Sequence, residues 1–156
     1  MAATYQIIDE PSPGKLSRFT VDPMWPLFAF MFGGPFISWA WSLFNGFALG
    51  SPSRGREALA VLLGVLAYFA VLIGMATSGL LQQLSPAYVR TALVVVSLAT
   101  CYYLYLKQSV ACEIYQHFDG VLMNGIPGVI LAYFVGSKME MFVVTQVLAG
   151  VQQWIS

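Results

Sequence analysis

Residues 23–53 read PMWPLFAFMFGGPFISWAWSLFNGFALGSPS, and no ionisable side chain occurs between Asp22 and Arg54. A run this long and apolar fits a bilayer, where about 20 apolar residues suffice to cross. Gly33, Gly34 and Pro35 interrupt it. Pro35 removes a backbone donor inside the run, and two glycines before it permit a sharp bend. Residues 24–50 therefore read either as one kinked span or as a re-entrant hairpin. The hairpin leaves irregular backbone at depth, which other protein or water must cover.

The remainder of the chain has the same character. It is 58% hydrophobic and 9% charged, with a mean hydropathy of +0.74, where soluble domains carry about 25% charged residues. Seven basic and seven acidic residues leave a net charge of zero. That balance speaks against nucleic acid as a partner, because no basic excess is present to displace counterions. Cys101 and Cys112 lie in one helical stretch, roughly 16 Å apart at the helical rise, too far to bridge. Both read as reduced, small hydrophobes.

Upstream of the run, residues 1–22 read as a polar flexible tail, with Pro11 to Gly14 as a turn and Tyr5, Ile7 and Ile8 available to the membrane surface. They lack the order of basic residues, apolar core and small cleavage site expected of a secretory signal. Downstream, Ser51 and Ser53 are candidate caps, Pro52 suits a first helical turn, and 58–81 carries no charge. Gln82 to Leu84 is a short break, and Ser85-Pro86 opens the next helix. The reading is an antiparallel helical hairpin, about 54–81 and 86–118. Its second arm carries Tyr102, Tyr103 and Tyr105 beside Lys107, an aromatic belt, and ends in an amphipathic stretch with Val110, Ile114 and Phe118 on the apolar face and Ala111 and Tyr115 beside them.

Residues 121–155 are apolar again but broken at Asn124 to Gly128 and by Lys138 and Glu140. One long helix would put those two charges near mid-membrane, at about 2.5–3.5 kcal/mol each. Two short pieces around a polar tip are expected instead, with Trp154 at the interface. The expected fold is thus all-α and polytopic: a single transmembrane helical domain over 23–156, with the hairpin flanked by broken or re-entrant elements at 24–50 and 121–155.

Basic residues in short loops set orientation. If 24–50 crosses fully, they divide evenly. If it is re-entrant, Lys15, Arg18, Arg54, Arg56 and Lys107 fall on one side and Arg90 alone on the other. The second arrangement follows the positive-inside rule, with a cytoplasmic amino terminus.

Reactive constellations are sparse. Glu113 and His117 are four apart, a spacing that can hold a metal, but this is the single His of the chain and a solvated helix face explains the pair. Lys138 and Glu140 fit an intramembrane ion path or, more simply, a loop tip. Asn45 and Asn124 are amides in apolar surroundings, suited to bonding a neighbouring helix, capping a break or touching a substrate. Gly46 with Gly50, Ala60 with Gly64, and Gly74 with Ser78 are small residues four apart, a spacing that lets helices approach closely. No phosphate loop, dinucleotide fingerprint, zinc helix or nucleophile elbow occurs. No catalytic residue, cofactor or metal is expected.

The stretch from Trp25 to Trp41, centred on Phe32-Gly33-Gly34-Pro35-Phe36, resembles the aromatic–Gly-Pro–aromatic element of certain small bacterial inner-membrane proteins of unknown function. It covers less than a fifth of the chain. The basic cluster those proteins carry soon after the element is matched only at Arg54 and Arg56. The resemblance implies a bacterial inner membrane and no particular activity. The leading functional expectation is a non-catalytic accessory, scaffold or assembly component that packs against other membrane proteins or further copies of itself. A small oligomeric transporter or channel subunit is the alternative, and a membrane-embedded enzyme the third.

Overall fold

The computed structural model describes residues 11–155. The surface role considered for Tyr5, Ile7 and Ile8 lies outside them. All regular structure among the described residues is helical: a 3-10 turn at Ser17–Phe19, then α1 (Met24–Gly33), α2 (Pro35–Leu49), α3 (Arg54–Thr77), α4 (Leu80–Gln83), α5 (Pro86–His117) and α6 (Ile126–Ile155). Three of them, α3, α5 and α6, are long and apolar enough to cross a membrane.

The break in the opening run is a single residue. Gly34 has φ 80° and ψ −179°, backbone space essentially restricted to glycine, and its N–H closes α1 on the Phe30 carbonyl. Pro35 then starts α2, where its missing N–H costs nothing. The two helices fold back on each other. Ser38 Oγ donates to the Pro26 carbonyl at 2.7 Å, whereas a straight helix would hold residues twelve apart at about 18 Å. The two ends of the hairpin meet at one end of the bundle, because Asn45 of α2 bonds both backbone groups of Val21, just ahead of α1.

The expected hairpin of α3 and α5 is present, although its first arm ends at Thr77 and α4 occupies the connection. The inward stripe of α3 is Glu57, Val61, Gly64, Tyr68 and Leu72, and that of α5 is Leu93, Ser97, Cys101, Leu104, Gln108, Ala111 and Cys112. Both follow the three-and-four spacing of a packed helix face. The two arms approach closely at Gly64, since a Cβ there would stand 2.6 Å from Thr100 Oγ1. Beyond Lys107 the buried face matches the expected one in part: Ala111 is buried and Ile114 and Tyr115 half-buried. Val110 and Phe118 are exposed, and Gln108, Ala111 and Cys112 point inward. Cys101 and Cys112 are free and buried.

The largest correction concerns residues 121–155. They form one continuous helix, α6, from Ile126 onward, and not two pieces around a polar tip. Asn124 Oδ1 accepts from the Ile126 N–H at 3.0 Å and so caps its start. Pro127 sits in the first turn, where it does no harm. Helix α6 packs on the α1–α2 hairpin through Gly125, Gly128, Ala132 and Gly136. A Cβ at Gly128 would run into the Trp41 ring, and one at Gly136 into the Gly33 carbonyl. Glu140 is the next residue on that four-residue stripe.

The tail expected over 1–22 is anchored in its described part. Ser12 N–H donates to the Gly50 carbonyl, Thr20 and Val21 are buried, and the Thr20 carbonyl accepts from Met123 N–H at 2.7 Å.

Candidate ligand site

Glu140 and the hairpin tip build the first of two polar sites. The stripe of small residues on α6 lets the α1–α2 hairpin lie against the helix, so the next stripe position meets the tip itself. Glu140 is half-buried there. Its Oε1 accepts from the Tyr68 hydroxyl at 2.8 Å, and its Oε2 lies against Gly34, in the space any side chain at that position would need. A carboxylate beside the start of α2 also faces the positive end of that helix dipole. Tyr68 is buried and held by aromatic contacts, with ring centroids 5.2 Å from Phe36 and 6.4 Å from Trp39.

The carboxylate looks into a cavity of about 950 Å³ between α1, α3, α5 and α6. Its walls are mostly apolar, with Phe30, Leu72, Leu93 and Val144 prominent, and its polar lining includes Glu140, Tyr68, Ser97, Ser137 and Arg90. Arg90 is exposed. It lies seven residues nearer the start of α5 than Ser97, about 10 Å along the axis.

The second site is a buried network at the opposite end of α2. Glu57 is 1% exposed. Its Oε1 accepts from the Ser51 and Ser53 hydroxyls at 2.6 and 2.7 Å, and its Oε2 from Gln108 Nε2 at 2.7 Å. Gln108 Nε2 also donates to the Ser42 carbonyl at 2.7 Å, and Gln108 Oε1 accepts from Asn45 Nδ2 at 3.3 Å. Asn45 Oδ1 and Nδ2 in turn bind the N–H and carbonyl of Val21. The network ties α2, α3, α5 and the segment ahead of α1 together, and every member has partners, as burial requires. It reads as a clamp, since its side chains spend their hydrogen bonds on one another and on the backbone of the elements they join.

The expected candidates therefore separate. Glu140 belongs to the cavity. Lys138, two residues away, points about 200° round the helix and is exposed, so the two do not act as a pair. Asn45 belongs to the clamp and Asn124 to the start of α6. Glu113 and His117 are both exposed near the end of α5, and among the described residues no group of three metal-ligand side chains forms. Gly46 makes room for the Glu57 carboxylate. Gly50, at φ 67°, closes α2 in the left-handed region against Ser12. Ala60 packs at the edge of the core. Gly74 faces open space among the described residues, and the Ser78 hydroxyl bonds the Met75 carbonyl of its own turn.

Sequence reading missed Tyr68, Ser97, Glu57 and Gln108. Their signal was position: each falls on the inward stripe of its helix. Comparisons with protein-family profiles, with curated proteins and with solved structures find no match to this chain.

Proposed function

We propose that this chain is an integral membrane protein that binds a bilayer-soluble ligand at Glu140, as a small binding or transport unit. The observation that carries the reading is the placement of Glu140 at the tip of a broken helix pair, facing an apolar cavity. Tyr68 lies fourteen residues into α3, about 21 Å from its start, on a helix about 36 Å long. If α3 spans, its partner Glu140 lies near mid-membrane. An ionisable group there carries an insertion cost of several kcal/mol and is by default a functional residue. Broken helices around such groups are a recurring way to build a membrane binding site.

The membrane arrangement that fits this reading has α3, α5 and α6 spanning and α1–α2 re-entrant. Helix α2 is about 22 Å long, short of the 30 Å hydrocarbon core. Both hairpin ends then share a face with Arg54 and Arg56, which the positive-inside rule makes cytoplasmic, in keeping with a bacterial inner membrane. The accessory or scaffold role, the leading expectation from the sequence, becomes the second reading, favoured by the outward face of α6, where Tyr133, Phe134 and Phe142 are exposed. No catalytic role is proposed.

Thermal unfolding of the purified protein, with three aryl probes of different charge, tests the binding reading. The probes are tetraphenylphosphonium, tetraphenylborate and neutral triphenylphosphine oxide. A ligand at one hundred times its Kd stabilises by about 2.7 kcal/mol, which is about 5–10 °C in Tm for a chain of this size. At least one probe should stabilise wild type, and none should stabilise Val144→Trp, which puts an indole into the cavity one helical turn from Glu140. Absence of any response, or an equal response in Val144→Trp, would remove the binding reading and leave the scaffold.

A further inference from the structure

The geometry points to a hydrophobic monocation as the ligand: an apolar, aromatic-sized body carrying one ammonium-like charge, held by Glu140. This inference rests on the binding reading above and narrows it to a charge class.

Three features of the site favour positive charge. First, Glu140 lines the cavity, and among the described residues the donor to its carboxylate is one tyrosine hydroxyl, on Oε1. A carboxylate accepts at both oxygens, with about four lone-pair directions in all. In apolar surroundings an opposite charge is its strongest partner. Second, α1 ends at the same point. The last turn of a helix leaves carbonyls without intrahelical partners and carries the negative end of the dipole. Of these, the Phe30 carbonyl is taken by Gly34 N–H and the Gly33 carbonyl lies against Gly136, while Met31 and Phe32 are residues of the cavity wall. Carbonyl and carboxylate oxygens are acceptors, suited to an ammonium N–H or a diffuse cation. Third, the wall presents the aromatic residues Phe30, Phe32, Tyr68 and Tyr102. Aromatic faces attract cations and provide apolar contact for the ligand body.

Arg90 opposes this only weakly. It is exposed at the end of the cavity nearest the start of α5, where its long side chain can extend into water or headgroups. Lys138 points away from the cavity. The charge that a ligand meets at Glu140 is therefore negative, offset in part by the start of α2 beside it. An anionic amphiphile with its headgroup on Arg90 would place its apolar end on the Glu140 carboxylate, leaving Tyr68 and the start of α2 as its compensation.

Equilibrium binding of the same three probes to the purified protein decides the matter. Tetraphenylphosphonium should bind at least tenfold tighter than triphenylphosphine oxide, and tetraphenylborate should bind weakest. Glu140→Gln should weaken tetraphenylphosphonium at least tenfold and leave the neutral probe within about twofold. Arg90→Ala should retain or tighten tetraphenylphosphonium. It lies outside the Tyr68–Glu140 contact, so it reports on charge even if Glu140→Gln unfolds. Tighter binding of tetraphenylborate, lost in Arg90→Ala, would overturn the cation inference while the cavity reading stood. So would equal affinity for the charged and neutral probes. Absence of binding by all three would overturn both.

Discussion

Replacing Gln108 by leucine should destabilise the protein by about 2–4 kcal/mol without opening a cavity, since the two side chains are of similar size. Gln108 is 1% exposed and its amide serves three groups: Glu57 Oε2 and the Ser42 carbonyl as donor, and Asn45 Nδ2 as acceptor. Asn45 Nδ2 keeps the Val21 carbonyl. The Ser42 carbonyl loses a side-chain donor, a neutral bond of about 0.5–1.5 kcal/mol. Glu57 loses one of three donors to a buried carboxylate, a bond of about 1.5–3 kcal/mol. On the scaling of globular domains of this length, that sum lowers Tm by on the order of 10 °C. The assay is thermal unfolding of purified protein for Gln108→Leu, Glu57→Met and the double variant. The double variant removes both partners, so it should recover part of the summed loss, with a coupling of about 0.5–3 kcal/mol. A Gln108→Leu protein melting within about 2 °C of wild type, or strict additivity in the double variant, would refute the clamp.

Two further tests address packing and topology. Gly64→Leu drives a side chain into Thr100 and should cost about 1–3 kcal/mol by overpacking, whereas Gly74→Leu, in open space, should leave Tm nearly unchanged; melting curves of the pair decide it. Single cysteines at Ser53, Gln82 and Asn124, in a Cys101→Ser, Cys112→Ser background, should label with an impermeant thiol reagent in intact cells only at Gln82; labelling at Ser53 or Asn124 would reverse the orientation.

The division between legible and illegible features follows the physics of each. Gly33, Gly34 and Pro35 announced a bend, because a glycine pair and a missing N–H act locally on the chain. The inward stripes of α3 and α5 were equally available, yet Tyr68 and Gln108 were passed over, since a polar residue on an apolar stripe gains meaning only from what faces it. The two-piece expectation for 121–155 failed for a related reason. It treated Lys138 and Glu140 as one polar tip, although two residues apart on a helix they face different surroundings. The stripe of Gly128, Ala132, Gly136 and Glu140 was present in the sequence, and its spacing of four already separated Glu140 from Lys138.

Composition and hydropathy alone determined that the chain is helical and carries segments long and apolar enough to cross a membrane, because unpaired backbone and charge are costly in hydrocarbon. Only the tertiary structure decided which charge meets the cavity and which polar residues form the clamp. Those depend on the faces that helices distant in sequence turn toward one another. The spacing within a helix lists its faces, but the Gly34 turn and the Gly33–Gly136 crossing choose which of them meet.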